Sequence, residues 1–212
     1  MPHAFAHIAF TPTVKKIQEQ MGSRASYVRM ETFPERVNHA LSEAETGFIA
    51  ARDSFYMATV GETGWPYVQH RGGPAGFVRA LGEHTIGFAD FRGNRQYVSV
   101  GNLATNDRVS LFFMDYPNKR RLKLFGHARS VDPEDKATLA RLEVPDYRAR
   151  VERGVLIDVE GFDWNCPQHI TERFTLAEVR AATAPLAARV AELEAELARR
   201  KALSPGQPSI GQ

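Results

Sequence analysis

The chain of 212 residues is 43% hydrophobic and 25% charged, with a formal net charge of +2. This composition is typical of a globular domain, and the small charge argues against a protein held electrostatically to nucleic acid or to a membrane surface. Its apolar stretches have the length of strands rather than of membrane spans, and the N-terminus lacks the basic region and long apolar core of a signal peptide.

The cysteine content indicates the compartment. Cys166 is the single cysteine, which leaves no internal disulfide and fits a reducing environment. We therefore expect a cytoplasmic protein.

The first forty residues show no clear pattern, and we assign residues 1–41 to an N-terminal extension. Ser42 is followed by Glu45 and then by Phe48 and Ile49, which is the capping-box pattern at the start of a helix. A short helix is therefore predicted at the beginning of the main domain, which we place at residues 42–172.

Stretches rich in β-branched and aromatic residues then follow one another, with only short helices between them. They cover residues 54–60, 65–73, 76–81, 85–89, 108–116, 120–131 and 154–162. Asp132 as N-cap and Pro133 at the first helical position predict a helix that runs to about Leu142. Consecutive strands of this kind favour an antiparallel barrel over alternating βαβ units, so that the predicted fold is mainly β.

The C-terminal segment, residues 173–203, differs in character. Leu186, Val190, Leu193 and Leu197 recur at spacings of four, three and four, and charged residues flank them. This stripe fits a helix that packs on its own barrel or one that pairs between subunits, with Pro185 at its start. The polar tail 204–212 is predicted to be disordered.

Motifs of several common enzyme classes are missing. No Gly-x-Gly-x-x-Gly follows a strand, and neither a Walker loop, a His-Glu-x-x-His nor a Gly-x-Ser-x-Gly occurs. Cys166 and His169 could form half of a metal site, but no second pair accompanies them, so that no metal is predicted.

Three cation-rich stretches point to an anion. Gln69 and Arg71 share one face of a predicted strand and His70 lies on the other, while Arg121 and Lys123 share a face of another strand. Inward-facing cations on barrel strands are costly unless they meet an anion, although the same residues could face solvent.

The turn between these two strands strengthens the case. It reads Arg92-Gly93-Asn94-Arg95, and a guanidinium fork suits phosphate oxygens. If residues 94–103 form a short helix, its free N–H groups also point at this turn. The turn is therefore either an ordinary solvated loop or a phosphate-binding loop.

The order of these stretches resembles the pyridoxamine 5′-phosphate oxidase-related family of FMN-binding split-barrel flavoproteins. The resemblance rests on the hairpin 55–73, the turn 88–96, the run 106–128 and the segment "FDWNCPQHI" at 162–170. It implies a six-stranded antiparallel split barrel of the FMN-binding type, which forms a homodimer with FMN at the subunit interface.

The resemblance also implies which residues bind the cofactor. Gln69 stands where the oxidase carries an arginine, and the loop after Asn94 is longer here, so that the match is imperfect at both places. The oxidase's C-terminal arginine motifs are not recognisable, which argues against vitamin metabolism. The implied FMN-binding residues are Gln69, His70, Arg71, Asp90, Asn94, Arg95, Gln96, Arg121, Lys123 and Trp164.

The function expected from the resemblance is that of an FMN-dependent oxidoreductase acting on a small molecule. Arg71 or Lys123 would lie near the flavin N1/C2 carbonyl side, Trp164 and Phe91 would line the substrate slot, and no catalytic acid can be named, although His70 and His169 are candidates.

Two alternatives remain open. A non-catalytic carrier or sensor of flavin, deazaflavin or haem could use His169 or Cys166 as an axial ligand. A nucleic-acid-binding barrel has the least support, because the net charge is small.

Overall fold

A computed structural model describes residues 3–164 and 167–203 of the chain. The chain divides into two compact units, residues 1–170 and residues 171–212. The predicted disordered tail, 204–212, and Cys166 lie outside the described residues.

The first unit is built on an antiparallel sheet of seven strands within the described residues, one more than the six that the resemblance implies. Every stretch predicted to be a strand forms one. They are β1 (Ser54–Val60), β2 (Pro66–Gly72), β3 (Val78–Ala80), β4 (Thr85–Phe91), β5 (Arg108–Asp115), β6 (Arg120–Val131) and β7 (Val151–Trp164).

The sheet curls into a half-barrel. Its strand order is β2-β1-β5-β6-β7-β4-β3, yet the ring of Phe55 on β1 meets that of Phe88 on β4 at a centroid distance of 5.3 Å. An ion pair of 2.6 Å between Arg71 and Asp90 also joins β2 to β4. These contacts between strands distant in the sheet confirm the predicted split-barrel architecture.

Alternate residues of the strands fill the interior, as expected for a sheet with one buried face. Each of the following side chains is at most 2% exposed: Phe55, Met57, Ile86, Phe88, Leu111, Phe113, Leu122, Leu124 and Ile157.

The helices of the first unit accompany this sheet. They are α1 (Ala4–Ala9), α2 (Pro12–Gln20), α3 (Arg24–Val28), a 3₁₀ turn (Arg29–Glu31), α4 (Glu43–Ala50), α5 (Val98–Thr105) and α6 (Lys136–Leu142). The second unit, taken by itself, contains α7 (Leu176–Leu203).

The predicted capping box at Ser42 is confirmed. Ser42 Oγ accepts a hydrogen bond from the Ala44 N–H at 3.2 Å, and the Glu45 carboxylate accepts one from the Ser42 N–H at 3.0 Å. The same carboxylate accepts a 2.8 Å hydrogen bond from the indole N–H of Trp164, which ties α4 to the end of β7.

Two helices begin elsewhere than predicted. Asp132 accepts the Glu134 N–H and forms a turn, whereas Asp135 accepts the Thr138 N–H and caps α6. The start of α5 lies at Val98 rather than near residue 94, because Arg95 and Tyr97 adopt left-handed backbone angles that a helix does not allow.

The C-terminal helix also begins earlier than predicted. Thr175 and Glu178 bond to each other's backbone N–H groups, at 3.2 and 2.7 Å, and form a capping box. Pro185 therefore lies inside α7 rather than at its start.

Part of the predicted N-terminal extension packs on the sheet. Ala4 and Ala6 are buried, and the ring of Phe5 stacks on that of Phe125 at 4.8 Å. A Cβ at Gly161 would meet the Phe5 backbone nitrogen at 2.7 Å, so that glycine allows α1 to approach β7 this closely.

Among the helices that the structure describes, none combines the length and the apolar character that a bilayer span requires. The cytoplasmic location stays a prediction.

Candidate functional site

A recess of about 50 Å³ opens between β2, the end of β4 and the loop that leads into α5. It is lined by Tyr67, Gln69, Arg71, Asp90, Phe91, residues 93–100 and Glu152. Six of the predicted cofactor residues therefore lie together: Gln69, Arg71, Asp90, Asn94, Arg95 and Gln96.

Strand alternation positions the β2 side chains. Gln69 and Arg71 pair with Met57 and Phe55 of β1, whose side chains are in the core, so that they share the inward face. Gln69 Oε1 accepts a 2.8 Å hydrogen bond from Ser99 Oγ, which links β2 to the first turn of α5.

Asp90 organises two arginines at the base of the recess. Arg71 Nη1 lies 2.6 Å from one carboxylate oxygen, and Arg153 Nε lies 3.5 Å from the other. Burial raises the pKa of the Asp90 carboxyl, while the two arginines act in the opposite direction. The Nε atom of Arg71 is buried and has no hydrogen-bond partner among the described residues, so that this cluster has an unused donor.

The loop before α5 is conformationally strained. Arg95 and Tyr97 have φ angles of +62° and +55°, which cost on the order of 1–3 kcal/mol each in residues other than glycine. Hydrogen bonds hold the pair: Arg95 Nε donates to the Tyr97 hydroxyl at 3.2 Å, and this hydroxyl donates to Glu152 at 3.3 Å. Strain of this kind, maintained by local contacts, is common at binding sites.

The first turn of α5 contributes backbone donors. Val98, Ser99 and Val100 line the recess, and no side chain caps this helix. The first N–H groups of a helix have no partner within it, and the helix dipole makes this end favourable for anions.

The charges around the recess favour a dianion. Three arginines, at positions 71, 92 and 153, pair with the two carboxylates of Asp90 and Glu152. Arg95 lines the recess without a carboxylate contact among the described residues, so that the group carries a formal charge of +2. A phosphate monoester carries about −1.5 to −2 at neutral pH. A Cβ at Gly93 would meet nothing within 4 Å, so that the loop leaves open space beside the recess.

The remaining predicted residues do not line this recess. His70 is on the outer face of β2, where its ring contacts that of Tyr56 at 5.6 Å, although it borders a second recess along β2 and β4. Arg121 and Lys123 were expected to face the interior, but they face outward. Leu122 and Leu124 alternate with them along β6 and fill the core.

The outer-face cations differ in their partners. Lys123 forms a 2.9 Å ion pair with Asp163. The Arg121 guanidinium lies 5.9 Å from the ring centroid of Phe112, and its buried Nε has no hydrogen-bond partner among the described residues.

The predicted aromatic residues lie apart. Trp164 is half-buried beside α4, with Phe48 at 4.7 Å and the Arg120 guanidinium over its ring at 4.6 Å. Phe91 lines the recess. Trp164 therefore packs against helix α4 of its own chain. Of the two aromatic residues, it is Phe91 that lines the recess.

Other predicted ligands can be placed only in part. His169 has a left-handed φ of +62°, and Cys166 lies outside the described residues. Within residues 3–164 and 167–203, no cluster of three or more His, Cys, Asp and Glu side chains could hold a metal ion.

Sequence reasoning missed four residues of the site: Tyr97, Ser99, Glu152 and Arg153. Tyr97 and Ser99 directly follow the turn that was recognised. Arg153 reaches the site only because β7 pairs with β4 and places it opposite Asp90, a relation that no local pattern reveals.

Comparison with known proteins gives the family. The family model described as pyridoxamine 5′-phosphate oxidase matches residues 41–165, a range that contains all seven strands and the whole recess. None of the curated proteins compared with the chain matches it.

Several solved structures are similar to the chain. A candidate pyridoxamine 5′-phosphate oxidase from Lactobacillus delbrueckii is 18% identical with a TM-score of 0.45, and the alignment covers 60% of this chain and 96% of that one. An FMN-binding protein from Syntrophomonas wolfei is 14% identical with a TM-score of 0.44, covering 73% and 95%. The haem storage protein HutZ from Vibrio cholerae is 16% identical with a TM-score of 0.40, covering 58% and 94%.

The family model alone spans more than half of the sequence. The chain belongs to the pyridoxamine 5′-phosphate oxidase family.

Proposed function

We propose that this chain binds FMN with its phosphate in the recess and acts as an FMN-dependent oxidoreductase on a small molecule. The observation that carries the proposal is the excess of arginines over carboxylates around a recess that also receives the uncapped start of α5. Both features favour a phosphate dianion.

The residues present fit the phosphate end of FMN. Arg71 offers a buried Nε donor without a hydrogen-bond partner among the described residues, and Arg95 and Gln96 also line the recess. Arg153 is held beside them by ion pairs with Asp90 and Glu152. An adjoining recess of about 140 Å³ lies along β2 and β4 and adds open space beside the phosphate position.

The size of these recesses supports a homodimer. Each is smaller than the roughly 300–1,000 Å³ that a bound cofactor usually fills, and Arg121 and Lys123 face away from them. A second copy would enlarge the site and would bring its own outer-face residues to the flavin. We therefore propose a homodimer in which each FMN contacts both subunits.

Bound FMN would supply the hydride and electron transfer, and the protein's part is to hold and tune it. Asp90 fixes the orientation of Arg71, so that a guanidinium stays beside the phosphate and holds the cofactor in place. Phe91 excludes water at the recess wall. The missing arginine motifs for pyridoxine phosphate direct the proposal away from the oxidase's own substrate.

The visible absorption spectrum of the purified protein tests this proposal, together with mass spectrometry of the chromophore released by heat. Release of FMN, followed by its anaerobic reduction by NADH or NADPH within a turnover time, is the expected result. FMN that nicotinamides cannot reduce would favour a carrier, and a Soret band would indicate haem. A colourless protein that also fails to take up added FMN would contradict the proposal.

A further inference from the structure

Helix α7 carries an apolar stripe along its second half. The stripe consists of Leu186, Val190, Leu193 and Leu197, and the four side chains are 67%, 47%, 47% and 54% exposed. Apolar residues at alternating spacings of four and three are the pattern of a coiled-coil seam.

The heptad register follows from this spacing. Val190 and Leu197 take position a, and Leu186 and Leu193 take position d. Towards the N-terminus the a and d positions are Leu176, Val179 and Thr183, whereas the next d position after Leu197 is Arg200, so that the apolar seam ends at Leu197. Within the seam, Val190 at a lies between Leu186 and Leu193 at d, a combination found in two-stranded coiled coils.

The flanking charges select a partner and a direction. Arg189 and Glu196 occupy position g, whereas Glu194 and Lys201 occupy position e. In a parallel pair of identical helices, each g residue faces the e residue five positions later in the partner. Arg189 then meets Glu194 and Glu196 meets Lys201, so that both contacts join opposite charges.

An antiparallel pair fits less well. With Val190 opposite Leu193 of the other helix, Arg189 still meets Glu196, but Arg180 faces Lys201 and repels it. Within one helix, Arg189 and Glu196 pair with Glu192 and Arg200 at 2.9 and 2.6 Å, and a parallel pair lets Arg189 and Glu196 exchange these partners for Glu194 and Lys201 of the other helix.

Pro185 does not prevent such pairing. It lies inside α7 at position c, next to Leu186 but outside the seam. A proline inside a helix removes one hydrogen bond and bends the helix, but the stripe from Leu186 to Leu197 lies wholly on the C-terminal side of Pro185.

We propose that α7 forms a parallel, in-register, two-stranded coiled coil with α7 of a second copy of this chain. The complementary charges of the g and e positions carry this assignment, and they identify the partner as the same sequence. The inference concerns the second unit alone and does not depend on FMN binding.

Disulfide trapping in the full-length chain tests it. Cys166→Ser removes the native thiol, and Leu193→Cys then places one thiol at position d, where identical residues meet in a parallel pair. Ala195→Cys, at the outward position f, is the matched control. In a glutathione buffer we expect at least about tenfold more cross-linked dimer for Leu193→Cys, because only seam positions bring Cα atoms within disulfide range.

Other cross-linking patterns would overturn the proposal. Equal yields from the two thiols would exclude a seam at this position. Cross-links that form only when Leu193→Cys is mixed with Val190→Cys would show an antiparallel pair. A Leu193→Cys thiol that stays reduced would mean that the stripe packs on its own chain or remains free.

Charge exchange provides a second test in the Cys166→Ser, Leu193→Cys background. In a parallel pair, Glu194→Arg brings two arginines together and should lower the yield of cross-linked dimer, a readout specific to α7. Adding Arg189→Glu restores the opposite charges and should recover it. Failure of the double variant to recover would contradict the parallel arrangement.

The two proposals fail separately. FMN content is read from the absorbance of the same samples. Cross-linking at residue 193 without bound FMN would support the coiled coil and contradict the proposed function. Bound FMN without cross-linking would support the proposed function and contradict the coiled coil.

Discussion

Arg95 is the exposed residue on which the phosphate assignment can be tested most directly. Its left-handed backbone and its hydrogen bond to Tyr97 keep the side chain at the edge of the recess. A charge-assisted hydrogen bond contributes about 1.5–3 kcal/mol. We therefore expect Arg95→Ala to weaken FMN binding by about 10- to 100-fold in a fluorescence titration.

Arg129→Ala is the matched control for this variant. Arg129 is exposed and lies on β6, where its Nε is 3.8 Å from Asp158, and it does not line the recess. Its removal should leave FMN affinity unchanged. If Arg95→Ala and Arg129→Ala bound FMN with equal affinity, the turn at 92–95 would not be a phosphate-binding loop.

Single residues also show where sequence reasoning succeeds and where it stops. The shared face of Gln69 and Arg71 was predictable, because strand alternation is local. The same rule places Arg121 and Lys123 on one face of β6, but alternation alone does not say whether that face is buried or exposed. Leu122 and Leu124 occupy the buried face, so that the two cations lie on the outer one.

The start of helix α4 gives a prediction about pH at the scale of one element. Burial by itself would raise the pKa of Glu45, but hydrogen bonds from Ser42 and Trp164 outweigh it and lower the pKa below its ordinary value of 4.5. A carboxyl whose pKa falls on folding stabilises the protein above its unfolded pKa. This contribution is lost as the pH falls from about 4.5 through the folded pKa.

Glu45→Gln should therefore reduce the free energy of unfolding at pH 7 by about 1 kcal/mol, the usual value of a helix cap. The difference from the wild type should shrink as the pH falls below 4.5. Urea unfolding at several pH values measures it, with Glu43→Gln in the same turn as the control. A difference that does not vary with pH would exclude this role for the Glu45 charge.

The β-bulge between β6 and β7 provides a second prediction for an element. The register shifts at Phe125/Gly126, and a Cβ at Gly126 would lie 2.5 Å from the carbonyl oxygen of Asp158. Since that atom belongs to the backbone, the strands must separate, and we expect Gly126→Ala to lower the free energy of unfolding by about 1–3 kcal/mol.

Gly47→Ala is the control for the bulge. In helix α4, a Cβ at Gly47 would meet nothing within 4 Å, and alanine is the better helix former by about 0.5–1 kcal/mol. Unfolding in urea should give opposite signs for the two variants. Destabilisation by both would point to a general sensitivity of the fold to alanine.

Helix starts illustrate the limits of local motifs. Ser42 with Glu45 predicts the start of α4 correctly, whereas α7 begins at the same motif, Thr175 with Glu178, and not at Pro185 ten residues later. A proline at the beginning of a helix is favourable, but it is not evidence that the helix begins there. The capping hydrogen bonds settle the matter.

At the scale of the whole molecule, the predicted cofactor residues divide between two faces of one sheet. Gln69, Arg71 and Asp90 line the recess, whereas Arg121 and Lys123 lie on the outer face of β6. One FMN in the recess of one chain cannot reach that outer face, so that both sets can serve one cofactor only if they come from different subunits.

Mixing two defective variants tests this arrangement. Arg95→Ala removes a recess residue and Arg121→Ala an outer-face residue, and each should weaken FMN binding as a homodimer. In a symmetric dimer whose sites are shared, every hybrid has one site with both arginines and one site with neither. About half of the dimers in an equal mixture refolded together are hybrids, so that about a quarter of all sites are intact. Titration with FMN at a concentration that fills only intact sites measures this fraction. If both arginines acted within one chain, no hybrid would contain an intact site, and the recovered fraction would be zero.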